Sequence, residues 1–107
     1  MNNKPIPITQ LGAATALVQL LSENPTLPPA SWSLDQYTGA LHGHVHDASF
    51  EVLTQYAEVL GGAIRPGGDY VYLGEMVRPH RLTATWRDVL VEVVVVLPAP
   101  VVAQVAA

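Results

Sequence analysis

The chain contains 107 residues, of which 50% are hydrophobic and 13% are charged, and its formal net charge is −4. This length is common for a single domain, and the hydrophobic content excludes a disordered chain, which needs low hydrophobicity and high net charge. Only five lysines and arginines are present and the pI is about 5.3, which disfavours a protein that binds nucleic acid by neutralising phosphates.

The first predicted element is a helix from Gln10 to Ser22, with Thr9 as its N-cap. Residues 1–7 are expected to form a tail before it. Apolar residues in this segment recur at steps of three and four positions, which indicates one buried helix face. The residues of that predicted face are Leu11, Ala14, Val18 and Leu21, and Leu17 and Leu20 are expected to widen it.

The next predicted elements are a β-hairpin and a second helix. Polar and apolar residues alternate over 31–34 and again over 40–46, which is typical of half-buried strands. Asp47 is the predicted N-cap of a helix over 48–60, which ends at Gly61-Gly62 because glycine accepts the left-handed conformation. The predicted buried residues of this helix are Phe50, Leu53, Ala57 and Leu60.

The C-terminal part of the chain predicts further strands. Residues 63–72 indicate a short edge strand broken by a turn at 66–68, and either Tyr70 and Tyr72 or their neighbours Val71 and Leu73 are expected to face inward. Segments 80–87 and 89–97 predict a hairpin, whose second strand has the strongest β-propensity of the chain. Residues 98–107 are expected to form a tail.

This order of elements, α-β-β-α-β-β-β, predicts the α+β class for a single domain over residues 8–97. The expected architecture is a two-layer sandwich in which two helices cover one face of a mainly antiparallel sheet. Strand alternation and aromatic character then select the expected core. Its residues are Leu41, Val45, Leu82, Trp86 and Val93, together with Trp32 and Phe50.

The most distinctive motif is His42-Gly43-His44-Val45-His46. Because strand side chains alternate, the three histidines are expected on one face, with neighbours about 6.5 to 7 Å apart along the backbone. Two imidazoles at that spacing can bind one zinc ion, and a third reaches the same ion less easily. The motif therefore predicts either a solvent-exposed stripe, which titrates near neutral pH, or a metal site formed by His42, His44 and His46.

A second group of candidate residues consists of Arg78, Arg81 and Arg87, which are close in sequence. On a strand, such residues form either a solvated face that pairs with acids such as Glu92 or a surface that binds anions and acidic partners. They are therefore candidates for an interaction surface.

Val94 and Val96 are further candidates for an interaction surface. They alternate with other valines of the last predicted strand, so both faces of that strand are apolar. A strand with two apolar faces must be covered on both sides. The predicted cover for Val94 and Val96 is the C-terminal tail or a second copy of the chain in a homodimer.

Signatures of catalysis are missing from the sequence, which has no cysteine nucleophile, no Gly-x-Ser-x-Gly elbow and no phosphate-binding or dinucleotide-binding glycine pattern. The apolar segments 11–21 and 89–107 are interrupted by polar residues or prolines, so neither predicts a membrane span. These features favour a cytoplasmic protein that is not an enzyme and has no cofactor.

Four segments carry a resemblance to other sequences: Leu27–Trp32, Gly39–Gly43, Tyr56–Gly62 and Arg81–Val89. They resemble small proteins of Streptomyces-type actinobacteria to which no function is assigned. The resemblance extends over residues 17–98 and implies no activity that can be transferred to this chain.

The leading hypothesis is therefore a non-enzymatic protein-interaction or regulatory module that works through protein contacts, with a homodimer as the expected state. One alternative is a metal-binding protein that uses the three histidines. A weaker alternative is a DNA-associated accessory protein that uses the three arginines.

Overall fold

The structure, a computed structural model, describes residues 8–47 and 49–100. In this part of the chain two helices and six strands confirm the predicted α+β class and element order. The elements are α1 (Ile8–Glu23), β1 (Ser31–Leu34), β2 (Leu41–Val45), α2 (Phe50–Leu60), β3 (Ala63–Pro66), β4 (Tyr70–Tyr72), β5 (Glu75–Trp86) and β6 (Val89–Pro98).

The strands form one sheet in the order β1-β2-β6-β5-β3, and β4 pairs with the beginning of β5. Every pairing is antiparallel except that of β2 with β6. Parallel neighbours need a long crossover connection, and here α2 with β3, β4 and β5 lies between β2 and β6 in the chain. The expectation of a mainly antiparallel sheet is thus confirmed.

Both helices pack on the same face of the sheet, and the core lies between the two layers. Register pairs Leu41 with Val91 and Leu82 with Val93, so alternate residues of β2, β5 and β6 point to the helices. The predicted core residues Leu41, Val45, Leu82 and Val93 are buried, and Trp32 and Trp86 are half-buried against the same cluster. The alternation therefore identified the helix-facing side of the sheet correctly.

The predicted central stripe of α1 is wrong, and of the predicted face it is the widening residues Leu17 and Leu20 that contact the core. Leu11, Val18 and Leu21 are 54%, 66% and 44% exposed, whereas Leu20 and two small residues, Ala13 and Ala16, are buried. Alanines on the sheet side let the helix backbone approach the strands closely. Apolar residues lie on most sides of α1, and the alternative stripe could not be recognised from spacing alone.

Helix α2 begins at Phe50, later than predicted, and its N-cap is Ser49 rather than Asp47. The predicted burial of Phe50 is wrong, because its side chain is 43% exposed and lies against His80. Tyr56 takes the central place instead: it is fully buried, and its hydroxyl donates a hydrogen bond to the Pro28 carbonyl. Burial raises the pKa of Tyr56.

The predicted broken edge strand is present as two strands, β3 and β4, on either side of the turn at residues 67–69. The expectation that one pair of residues in β4 faces inward is wrong: Tyr70, Val71, Tyr72 and Leu73 are all exposed. The physical reason is length, because β5 begins at Glu75 and its first residues, with β4, extend past the part of the sheet that α2 contacts.

Candidate functional site

The sheet face opposite the helices, here called the outer face, carries most of the predicted site residues. Residues directly across neighbouring strands point to the same side, so the register assigns them. His42 lies beside Glu92, His44 beside Val94, and Val94 in turn beside Arg81. The expected placement of the imidazoles away from the core is therefore found for His42 and His44.

The three histidines of the motif have different neighbours. The Nδ1 atom of His42 is 3.1 Å from Oε1 of Glu92, on the parallel strand β6. The rings of His44 and His46 meet edge to face with their centroids 4.8 Å apart. The Nε2 atom of His46 is 2.7 Å from the Ser31 hydroxyl on β1. The rings of His44 and His46 therefore contact each other, whereas the His42 ring contacts the Glu92 carboxylate.

Within residues 8–47 and 49–100, no three His, Asp or Glu side chains are grouped so that they could hold one metal ion together. The predicted site formed by His42, His44 and His46 therefore has two of its members in contact and the third beside Glu92. Sequence reasoning had assigned Glu92 to an arginine across the β5–β6 hairpin. The residue across that hairpin is Thr83, and the Glu92 carboxylate contacts the His42 imidazole instead.

Gly43 lets the Trp32 indole pack directly on the backbone of β2, the strand that carries His42 and His44. It is buried, and a Cβ atom at this position would lie 2.8 Å from a ring carbon of Trp32. The Trp32 indole covers the strand on its helix-facing side and meets the buried Tyr56 ring edge to face at 6.0 Å. Only glycine fits between His42 and His44 with the indole in this position.

The three predicted arginines do not share one patch. Arg78 and Arg81 are three residues apart on β5 and therefore point to opposite faces of the sheet. Arg87 lies beyond the strand, in the turn before β6, at the other end from Arg78. Arg81 is the one member of the three that is exposed on the outer face.

Arg78 and Arg87 are each held by a carboxylate. The Nε atom of Arg78 is 2.6 Å from Asp69, and this hydrogen bond raises the pKa of the guanidinium and lowers that of the carboxyl. Arg87 donates to Glu23 at 2.6 Å and to Gln19, and lies 4.2 Å above the Trp86 ring. The hydrogen bond from Arg87 likewise lowers the pKa of Glu23. Both cations are therefore engaged within the chain.

Val94 and Val96 lie on the outer face of β6, as predicted, and are half-buried. Two apolar residues on the same face were missed by sequence reasoning: Leu90 on β6, which is 43% exposed and lies beyond Glu92, and Val77 on β5, which is 8% exposed and therefore buried. Alternation along the last strand, counted back from Val94, predicts Leu90 on this face. Val77 could be assigned only once β5 was known to begin at Glu75 rather than at residue 80. Of the predicted C-terminal tail, residues 98–107, which was the expected cover, residues 101–107 lie outside the described part of the chain.

A groove that the sequence did not predict lies between α1 and the turns at the same end of the sheet. It has a volume of about 510 Å³, and most of its lining surface is apolar and comes from residues such as Leu11, Ala16 and Val89. The guanidinium of Arg87 is at its rim, but Glu23 and Gln19 bind it there. The groove therefore presents an apolar floor and a cation that already has its partners.

The fold and the outer face define a small α+β domain with one helix-covered side and one side that no described element covers. In the described part of the chain, neither helix has the combination of length and apolar character needed to cross a membrane. Comparison with protein-family models, with curated proteins and with solved structures finds no match for this chain.

Proposed function

We propose that the chain is a non-enzymatic interaction module that associates with a second copy of itself through the outer face of the sheet. The observation that carries the proposal is the apolar line formed by Leu90, Val94 and Val96 on a sheet face that no described element covers at these residues. A location in the reducing cytoplasm belongs to the same proposal and is compatible with a chain without cysteine.

The apolar line supports association because Val94 and Val96 are neighbours on one face, with Leu90 beyond Glu92 on the same strand. Val94 and Val96 follow each other on the same side of β6, and Val77 lies on the same side of the neighbouring strand. Contiguous apolar surface is unfavourable in water, and burial stabilises by about 25 cal/mol per Å². A partner that covers this line gains that free energy.

A second copy fits the charges around the line. Arg81 is directly across from Val94, and Glu92 precedes Val94 by two residues on the same face. In a two-fold interface the same patch meets itself, so each residue of one copy can face a different residue of the other. An axis close to Val94 can place Arg81 of each copy near Glu92 of the other, which makes the face self-complementary.

The size of the outer face also matches a dimer. Five neighbouring strands about 4.8 Å apart, and strands of up to 12 residues at about 3.3 Å per residue, give the face at most roughly 950 Å². A standard interface buries about 800 Å² on each partner. The outer face is therefore large enough for a specific dimer only if most of it takes part.

The test is light scattering coupled to size-exclusion chromatography over a concentration series of the full chain. The wild-type chain is expected to be a dimer. Val94→Lys is expected to be a monomer, because two ammonium groups would meet near the axis without water to screen them. The matched control is Val18→Lys, which makes the same substitution on α1 at a residue that is 66% exposed.

Three results would overturn the proposal: a monomeric wild-type chain, a dimer that survives Val94→Lys, or a dimer that only Val18→Lys disrupts. The last result would assign the interface to the exposed stripe of α1. A dimer that is lost on deletion of residues 101–107 but kept in Val94→Lys would assign the association to the tail. Far-UV circular dichroism of each variant checks that the fold is retained.

A further inference from the structure

His44 and His46 present two exposed imidazole rings on the outer side of the sheet, next to the edge strand β1. Their ring centroids are 4.8 Å apart and the ring planes are inclined by 63°. Both side chains are exposed, so a hydrated ion can reach either ring without any movement of the core. The pair borders the apolar line that carries the proposed self-association, because His44 is directly across from Val94.

We propose that His44 and His46 form a two-imidazole chelate for a borderline transition-metal ion of the class Cu²⁺, Ni²⁺ or Zn²⁺. With metal–nitrogen bonds of about 2.0 to 2.1 Å and an angle of about 90° to 109° at the metal, two rings on one ion have centroids roughly 4.5 to 5 Å apart. The observed separation falls within this range, so the rings need to turn rather than to move apart.

The Ser31 hydroxyl provides a hydrogen-bond partner for the ring nitrogen of His46 that does not bind the metal. This hydroxyl is 2.7 Å from Nε2 of His46. In the tautomer that carries its proton on Nε2, His46 donates to this hydroxyl, and Nδ1 keeps a free lone pair for the metal. A hydrogen bond from the second ring nitrogen is the usual device that orients a histidine ligand and fixes its tautomer.

The first histidine of the motif is not part of the chelate. His42 and His46 are four residues apart, which is about 13 Å along a strand, so both cannot reach one ion. The Nδ1 atom of His42 is also next to the Glu92 carboxylate. The ion therefore has two protein ligands from this chain, and water completes its coordination.

The experiment is calorimetric titration of the metal-free full chain with Cu²⁺, Ni²⁺ and Zn²⁺ in separate runs. We expect one ion per chain with a dissociation constant below about 100 μM for at least Cu²⁺, which lies at the top of the divalent affinity order. His44→Ala and His46→Ala are each expected to weaken binding at least tenfold, and Ser31→Ala by less. Because these side chains are on the surface, the variants are expected to fold.

The matched control is His80→Ala, which removes a histidine on the other face of the sheet, where its ring contacts Phe50. It is expected to bind metal as the wild-type chain does. Absence of binding by all three ions at 100 μM chain, or an equal loss in His80→Ala, would overturn the proposal. A His42→Ala variant that loses as much affinity as His46→Ala would replace the chelate by one centred on His42 and His44.

Discussion

The substitution Gly43→Ala tests whether the Trp32 indole holds the histidine strand in place. The new Cβ atom would lie 2.8, 2.9 and 3.1 Å from three carbons of the indole ring. Favourable carbon contacts begin at about 3.5 Å, so the ring has to move by roughly 0.5 Å or more. Trp32 is half-buried and lies edge to face on Tyr56, which means that the movement also weakens an aromatic pair.

The expected loss of stability follows from two opposing effects. Overpacking of a core by one methyl group costs about 1 to 3 kcal/mol. Replacement of glycine in a strand recovers about 0.5 to 1 kcal/mol, because glycine loses the most conformational freedom on folding. We therefore expect Gly43→Ala to lower the free energy of unfolding by about 1 to 2 kcal/mol.

Urea denaturation of four chains measures this loss: the wild-type chain, Gly43→Ala, Trp32→Leu and the double variant. With leucine at position 32 the clash is gone, so Gly43→Ala is expected to be neutral or stabilising in that background. The coupling free energy of the cycle should then be about 1 kcal/mol or more, which is typical of residues in contact. An equal loss in both backgrounds would refute the role of the indole.

Two further predictions concern α1 and the turn between β1 and β2. Leu20→Ala, at a fully buried residue, is expected to lower the free energy of unfolding by about 2 to 5 kcal/mol in the same denaturation assay. Leu21→Ala, at an exposed neighbour, is expected to lower it by less than about 1 kcal/mol. Comparable losses would contradict the assignment of the buried face. Asp35 accepts hydrogen bonds from the backbone N–H groups of Thr38 and Tyr37, which lower the pKa of its carboxyl. A carboxyl whose pKa is lowered in the folded state stabilises the fold at pH values above its ordinary pKa, and this stabilisation is lost as the pH falls through the folded-state pKa. Asp35→Asn is therefore expected to be less stable than the wild-type chain at pH 7 and equally stable near pH 2. A stability difference that does not change with pH would contradict this assignment.

The strands could be predicted from the sequence because their alternation marks a buried side. In the last strand, Glu92 marks the solvent side, so the valines out of step with it are expected to face the core. In the preceding strand, Arg81 and Thr83 mark the solvent side in the same way and assign Leu82 to the core. A period of two leaves only two choices of face, and one charged residue decides between them. The outward placement of the histidines follows from the same rule.

The buried faces of the helices could not be predicted in the same way. Helix α1 has no charged residue before Glu23, so no polar side marks the direction of solvent. Leu20 and Leu21 are equally apolar, and only the approach of Ala13 and Ala16 to the sheet selects Leu20. That choice depends on packing between distant parts of the chain.

The partners of the candidate site residues also depend on long-range pairing. His42 meets Glu92 because β2 and β6 are parallel neighbours, although the two residues are fifty positions apart. Arg87 meets Glu23 because a turn residue with φ of 53° directs its side chain to α1. Neither contact leaves a local signal in the sequence.

Strand β2 couples the core to the candidate metal site through its register. Its helix-facing residues Leu41, Gly43 and Val45 are packed against β6 and the helices, and the imidazoles occupy the positions between them. A slip of one residue would bury the histidines and expose the core residues, so the free energy of core packing opposes it. The same packing positions the backbone that carries His44 and His46, because buried Val45, the last residue of β2, lies between them. A ligand pair on such a strand is preorganised, and the ion does not have to order a loop when it binds.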